Sequence, residues 1–326
     1  MKVSLKKIKI YENREDITLT AYVIEEQGEL HGIGARPAVL ICPGGGYLNC
    51  SDREAEPIAL KFTAMGYHAF VLRYSTYGEG AKEIYRNPDV VLPVREECLY
   101  PAQLLETGKA MLIIREHAKE WEVDVDRIAV CGFSAGAHNA ALYSAIWHTD
   151  LLSEHFGVDK AMFRPAAAIL CYPVNDYVDF EELMKNVKMT PTDKAMFRAC
   201  NIALFGELNP SEEKRRLLSP GRLVTELMPP TYIWSTAGDN VVPIQHSIRL
   251  AHALADKKIP FEIHIFEEGQ HGLGAADQTS AAVSEQINPE AAKWVELADT
   301  WLKKRFALKM LPPITEEEYL KMIGVL

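Results

Sequence analysis

Long apolar runs are missing from this chain of 326 residues. None approaches the roughly 18 residues that a membrane-spanning helix requires. The lysine-rich N-terminal segment is not followed by the apolar stretch of a secretory signal. Runs of five or six like charges, which mark interaction tails, are also missing. We therefore expect a soluble cytoplasmic protein.

Metal-ligand spacings are missing as well. The six cysteines are scattered along the chain, at Cys42, Cys50, Cys98, Cys131, Cys171 and Cys200. In a chain of this length such cysteines are typical of reduced core thiols. Patterns such as H-E-x-x-H do not occur, so we expect neither a metal nor another cofactor. The net charge of −10 disfavours nucleic acid and anionic membranes as partners, because both attract basic surfaces.

What the chain does contain is a regular alternation of apolar strands and helices. Strand-like segments fall at 37–42, 67–74, 127–131, 166–171, 230–236 and 261–266, and helical segments at 55–65, 101–120, 135–146, 243–258 and 290–305. Strands that are mostly apolar throughout and are separated by helices predict a parallel sheet with helices on both faces. Segments 3–11 and 17–25 have no helix between them, so we expect an antiparallel pair at one edge of this α/β fold.

The alternation breaks between residues 175 and 229. This stretch carries two helix-start signals, T-P-T-D at 190–193 and N-P-S-E at 209–212. It interrupts the sheet between two strands and is short and poor in strand signals. We therefore predict a single domain over residues 1–326, in which residues 175–229 form a cap over the site.

A G-x-S-x-G motif lies at residues 132–136, directly after the apolar segment R-I-A-V-C and before a helix of small residues. Strand, sharp turn and helix are the context of a nucleophile elbow. The two glycines permit the strained turn and a close helix, whose positive N-terminus then lies beside the serine. This context favours Ser134 as a nucleophile over an ordinary strand-to-helix turn.

A serine nucleophile needs a base to take its proton and an acid to orient that base. Asp239 follows the strand at 232–235 within T-A-G-D, and His271 follows the last strand within G-Q-H-G. The chain order Ser, Asp, His is the order expected for this architecture. A Gly-Asp pair can also be a simple turn, and Asp176, after an earlier strand, is the alternative acid.

Acyl transfer also needs hydrogen-bond donors for the oxyanion. The sequence P-G-G-G-Y at 43–47 follows the first long buried strand and can turn its backbone N–H groups toward a small site. The amide of Ala135, the residue after the nucleophile, is the second expected donor. A phosphate-binding loop is disfavoured, since neither Gly-Lys-Ser/Thr nor G-x-G-x-x-G is present.

Together these motifs resemble the α/β-hydrolase superfamily, especially its esterase and lipase branch with a His-Gly-Gly-Gly loop. P-G-G-G-Y, W-S-T-A-G-D-x-x-V-P and G-x-H-G-L are similar to the acetylxylan-esterase-like group, over about residues 35–305. The resemblance implies a Ser134, Asp239 and His271 triad with oxyanion amides from Gly45, Gly46 and Ala135. Pro43 replaces the branch's histidine, which leaves the backbone donors but removes a side chain that helps to hold the loop.

The resemblance also implies a substrate, a small ester or acetylated oligosaccharide that carries a short acyl group, acetyl first. Near predicted strand ends, Tyr47 and Tyr172, with Tyr74 and Tyr77, either form walls that stack on sugars or belong to the core. A general short-chain carboxylesterase, a small peptidase and a non-catalytic binding scaffold stay open as alternatives. So does a homo-oligomer.

Overall fold

The computed structural model describes residues 2–25, 33–185, 187–309, 315–322 and 324–326. Its strands are β1 (Lys2–Tyr11), β2 (Arg14–Glu25), β3 (Arg36–Cys42), β4 (His68–Arg73), β5 (Val123–Phe133), β6 (Ala167–Cys171), β7 (Thr231–Thr236) and β8 (Phe261–Phe266). They form one eight-stranded sheet in the order β1-β2-β4-β3-β5-β6-β7-β8. β2 pairs antiparallel with β1 and β4, and every pair from β4 to β8 is parallel, as the strand pattern predicts.

Helices cover both faces of this sheet. They are α1 (Glu56–Ala64), α2 (Glu83–Arg86), α3 (Ala102–Glu116), α4 (Ala118–Trp121), α5 (Ala135–Ile146), α6 (Asp150–Phe156), α7 (Tyr177–Met184), α8 (Pro191–Phe205), α9 (Glu212–Leu217), α10 (Gln245–Asp256), α11 (Trp294–Phe306) and α12 (Glu316–Met322). Helices α3, α5 and α10 bury apolar residues in one core, and α1 and α11 bury theirs in a second core on the opposite face. Among the described residues, no helix has both the length and the apolar character needed to cross a membrane.

Three local predictions need correction. The helix predicted over 101–120 is two helices, α3 and α4, and the left-handed backbone of Glu122 (φ +55°) ends the second. The apolar segment 261–266 is expected to be buried like the other parallel strands, but β8 is an edge strand with half-exposed side chains, because only β7 pairs with it. The helix signal at 209–212 is shifted: Ser211 is the N-cap of α9 and Pro210 precedes the cap.

The stretch between β6 and β7 contains α7, α8 and α9. Thr190 begins α8 with a capping box that its hydroxyl forms with Asp193, and Pro191 follows at the first helical position, as the sequence signal predicts. α7 was not predicted; its N-cap is Asp176, whose carboxylate accepts from the amides of Val178 and Asp179. The description of residues 175–229 as a cap on a single domain stays a prediction.

Candidate active site

Ser134 lies in the sharp turn between β5 and α5. Its backbone has φ +51° and ψ −117°, a region that residues other than glycine rarely adopt. The glycines on either side permit this turn: a Cβ on Gly132 would lie 2.2 Å from the carbonyl oxygen of Gly136, and a Cβ on Gly136 would lie 2.0 Å from the carbonyl oxygen of Cys42. The turn places Ser134 at the N-terminus of α5, the positive end of the helix dipole.

His271 and Asp239 form a continuous hydrogen-bond line with Ser134. Nε2 of His271 lies 2.7 Å from Oγ of Ser134, and Nδ1 lies 2.6 Å from Oδ2 of Asp239. The other carboxylate oxygen, Oδ1, accepts from the backbone amides of Val241 at 2.9 Å and Val242 at 2.8 Å. A carboxylate only accepts hydrogen bonds, so the proton between the two groups lies on Nδ1 of His271, and Nε2 faces the serine as an acceptor. Asp239 therefore orients the ring and is itself held by the start of the next loop.

The electrostatic surroundings of His271 favour its charged form. Burial lowers the pKa of the imidazole, but the charge and hydrogen bond of Asp239, with the charge of Glu54, outweigh burial and raise the pKa above its ordinary value. A base whose pKa is raised can accept a proton from a hydroxyl and keep it through a reaction step.

The glycine loop passes directly beside the serine. Gly45 (φ +123°) and Gly46 (φ +63°) line the same cavity as Ser134 and Ala135. Within the described residues, the amides of Gly45, Gly46 and Ala135 donate to no protein acceptor. The amide of Gly44, by contrast, donates to Oε2 of Glu54 at 2.9 Å. The three unpaired amides are available to a developing negative charge.

The two tyrosines predicted to contact substrate differ in position. Tyr47 lines the cavity, but its hydroxyl is hydrogen-bonded to Nδ1 of His138 at 2.5 Å. Burial lowers the pKa of His138 to about 4, so its ring is neutral, and Nε2–H donates to the carbonyl of Leu218 at 2.8 Å. Tyr47 can therefore offer a ring face to a ligand, since its hydroxyl is already bound.

Tyr172 does not line the cavity, and its predicted contact with substrate needs correction. Its hydroxyl donates to Oε1 of Glu54 at 2.6 Å and accepts from the amide of Gly274 at 2.9 Å. Its ring meets that of His271 edge-on, with 5.0 Å between centroids. The side chain supports the histidine from behind because all its polar partners lie inside the protein. Tyr74 and Tyr77 are also buried, and each donates to a backbone carbonyl.

Asp176, the alternative acid, is engaged elsewhere. Besides capping α7, its carboxylate accepts from Nε of Arg222 at 2.9 Å. Glu54 was missed by the sequence analysis altogether. It ends a 3₁₀ turn, Asp52–Glu54, and is 3% exposed. A glutamate in the segment S-D-R-E looks in sequence like part of a solvated turn, so no local signal identifies it.

A cavity of about 700 Å³ opens over Ser134. The glycine loop, Ser134 and His271 form one wall. A second, largely apolar wall comes from α7 and α8, through Tyr177, Phe180, Met196, Phe197 and Cys200. Charged side chains of residues 52–54 and 79–82 also lie along the cavity. In the described part of the chain, no group of three or more histidine, cysteine or acidic residues is placed to hold a metal ion.

The chain is similar to a protein-family model, to several curated proteins and to solved structures. The BD-FAE family model matches residues 92–254, half of the chain. Endo-1,4-beta-xylanase B of Butyrivibrio fibrisolvens is 31% identical over 242 residues, which cover 74% of this chain and 33% of the xylanase. The chain spans between a third and about half of the length of the curated relatives it matches.

Solved structures match over nearly their whole length. The carboxylesterase Cest-2923 of Lactobacillus plantarum is 27% identical with a TM-score of 0.71, over 95% of this chain and 99% of that one. An acetyl ester-xyloside bifunctional hydrolase of Caldicellulosiruptor lactoaceticus is 27% identical with a TM-score of 0.67, over 92% and 96% of the two chains. A deep-sea metagenome structure described as an alpha/beta hydrolase enzyme is 28% identical, with a TM-score of 0.66, over 94% and 99%.

Proposed function

The chain belongs to the BD-FAE family and has the α/β-hydrolase fold, and from that premise we propose that it hydrolyses carboxylic esters through an acyl-enzyme on Ser134. The observation that carries the proposal is the hydrogen-bond line from Oγ of Ser134 through His271 to Asp239, which opens onto a cavity. Relatives named as esterases and carboxylesterases support the reaction class.

In the proposed reaction, Nε2 of His271 takes the Ser134 proton as Oγ attacks the carbonyl carbon of the ester. Asp239 holds Nδ1–H in place and stabilises the imidazolium that forms. The tetrahedral intermediate collapses, and His271 gives its proton to the departing alcohol. His271 then takes a proton from water as the water oxygen attacks the acyl-enzyme. When this second tetrahedral intermediate collapses, the bond between the acyl carbon and Oγ breaks, His271 returns the proton to Oγ of Ser134, and the acid is released.

The negative charge of each tetrahedral intermediate falls on the carbonyl oxygen. We assign its stabilisation to the amides of Gly45, Gly46 and Ala135, which have no protein acceptor among the described residues and line the cavity beside Ser134. The N-terminus of α5 adds a positive dipole end at the same place. Loss of one such donor costs on the order of 100-fold in rate.

The proposed substrate is a sugar or oligosaccharide that carries a short acyl group, acetyl first. Relatives named for acetylxylan and for acetyl ester-xyloside hydrolysis support this choice. The cavity is of the size that holds a small organic ligand. Its charged margin, from residues such as Asp52, Glu79 and Lys82, offers partners for sugar hydroxyls.

The apolar wall favours a second candidate, a general short-chain carboxylesterase. Phe180, Met196 and Phe197 give the cavity a surface that an acyl chain longer than acetyl can cover. The two candidates share every step at Ser134 and differ only in what occupies the cavity.

A substrate panel separates the candidates. Wild type and Ser134→Ala are compared on 4-nitrophenyl acetate, butyrate and octanoate, and on acetylated xylo-oligosaccharides with released acetate measured. We expect acetate release from the oligosaccharides that disappears in Ser134→Ala. Faster cleavage of the octanoate than of the acetylated sugar would contradict the sugar-ester proposal. Hydrolysis that survives in Ser134→Ala would contradict the proposed nucleophile.

A further inference from the structure

Glu54 lies between the glycine loop and the histidine, and nothing in the triad chemistry uses it. We propose that Glu54, with its neighbour Arg53, is a positioning residue for the esterase reaction, and that it fixes the oxyanion loop and the base loop relative to one another. This inference rests on the proposed function.

Both carboxylate oxygens of Glu54 accept hydrogen bonds, one from the oxyanion loop and one from a tyrosine that contacts the base loop. Oε2 accepts from the amide of Gly44, and Oε1 accepts from the hydroxyl of Tyr172. The same hydroxyl accepts from the amide of Gly274, three residues after the base. One carboxylate therefore connects the glycine loop directly, and the base loop through Tyr172.

Arg53 completes the connection from the same turn. Its Nη2 donates to the carbonyl of Gly272 at 2.8 Å, and its Nε donates to the carbonyl of Ser280 at 2.7 Å. Gly272 directly follows the base, so the turn holds the base loop at both its start and its end. A shift of this turn would move the histidine and the oxyanion amides relative to each other.

The charge of Glu54 has a further role. Within the described residues, this buried carboxylate makes no ion pair with lysine or arginine, and backbone and tyrosine donors alone satisfy it. A Cβ on Gly272 would lie 4.0 Å from Oε1, which places the carboxylate beside the base loop. A buried carboxylate without a cationic partner favours a positive charge that forms nearby. The imidazolium of His271 is that charge, and Asp239 is the other carboxylate that faces it.

Glu54→Gln tests both roles because it keeps the size of the side chain but removes the charge and one acceptor. We expect kcat to fall about 10- to 100-fold, as for a small misplacement of catalytic groups, with KM little changed. The pKa of His271 should fall, measured by NMR of histidine-labelled protein with the signal assigned by its loss in His271→Gln. Within the part of the chain that the structure describes, the titratable groups that face this ring are Asp239, Glu54 and Tyr172.

Glu54→Asp and Glu106→Gln are the controls. The aspartate keeps the charge but is one methylene shorter, so the histidine pKa should stay raised while kcat falls. Glu106 is a second buried carboxylate, hydrogen-bonded to the amide of Ser75 at 2.7 Å, and it does not contribute to the histidine pKa. Glu106→Gln should therefore leave that pKa unchanged even where it lowers Tm.

Two results would overturn the inference. One is a Glu54→Gln protein with wild-type kcat and a wild-type His271 titration. The other is a loss of activity that follows only the folded fraction, with the His271 pKa unmoved. Failure of the proposed function is separate, because it shows as an absence of Ser134-dependent hydrolysis in wild type, whereas the histidine titration needs no substrate.

Discussion

Replacement of Asp239 by asparagine should reverse the orientation of the His271 proton. In the structure Oδ1 of Asp239 accepts from two backbone amides, of Val241 and Val242, and Oδ2 accepts from Nδ1 of the imidazole. Asparagine has only one side-chain oxygen. Two backbone amide donors compete for that oxygen against one imidazole, so we expect the oxygen to face the amides and the NH₂ group to face Nδ1. Nδ1 must then accept, and the ring proton moves to Nε2.

A protonated Nε2 cannot take the Ser134 proton, because it is itself a donor. A wrong tautomer of this kind costs about 10⁴-fold in kcat, equivalent to about 5.4 kcal/mol in the activation barrier. The fold should be little affected, since the new side chain keeps the hydrogen bonds to Val241 and Val242. The prediction is thus a large loss of activity with a small change in Tm.

Steady-state kinetics on 4-nitrophenyl acetate, with thermal unfolding of the same samples, measures both quantities. Asp176→Asn is the matched control, since Asp176 also accepts from two backbone amides but pairs with Arg222. We expect the control to keep kcat within the same order of magnitude and to lose some stability. An Asp239→Asn protein with a tenth or more of wild-type kcat would refute the assignment of Asp239.

Three further predictions concern the base, the elbow and the cavity. Only neutral His271 accepts the serine proton, and its pKa is raised above the ordinary value of 6.5. The value of kcat/KM should therefore already fall at pH values above 6.5 as the pH decreases. A pH profile of kcat/KM with its midpoint below 6.5 would contradict this. Gly136→Ala should lower the free energy of unfolding in urea by about 3 kcal/mol or more, because its Cβ would lie 2.0 Å from the carbonyl oxygen of Cys42. Gly157→Ala is the control: its φ is +66° but its surroundings are open, so the loss should be about 1–2 kcal/mol. Equal losses of stability in the two variants would contradict the packing argument. Phe197→Ala should widen the apolar wall and raise the octanoate-to-acetate ratio of kcat/KM about tenfold, whereas an unchanged ratio would place the acyl group elsewhere.

Residues whose signal is local could be predicted from the sequence. Ser134 sits in a motif whose glycines, preceding strand and following helix all lie within a few residues, and the structure has that turn. Asp239 and His271 each lie in the loop that follows a strand of the parallel sheet. The carboxyl ends of parallel strands meet at one edge, so chain order and strand placement were enough to bring the three side chains together.

Residues whose partners are distant in the chain could not be predicted. Glu54 is hydrogen-bonded to Gly44, 10 positions away, and to Tyr172, 118 positions away. Neither contact can be recognised from the residues next to Glu54 in the sequence. Tyr172 looked like a cavity tyrosine because it follows a strand. Its left-handed backbone (φ +40°) and its inward hydroxyl partners, which only the folded chain reveals, place it behind His271.

The account depends most on Ser134 as the nucleophile. Its most direct test is a titration of hydrolysis against incorporation of a fluorophosphonate, with the labelled peptide identified by mass spectrometry. We predict that activity falls linearly to zero as one phosphonate per chain is incorporated, all of it on Ser134. Activity that persists in fully labelled protein, or a label that forms on another residue, would contradict the central claim.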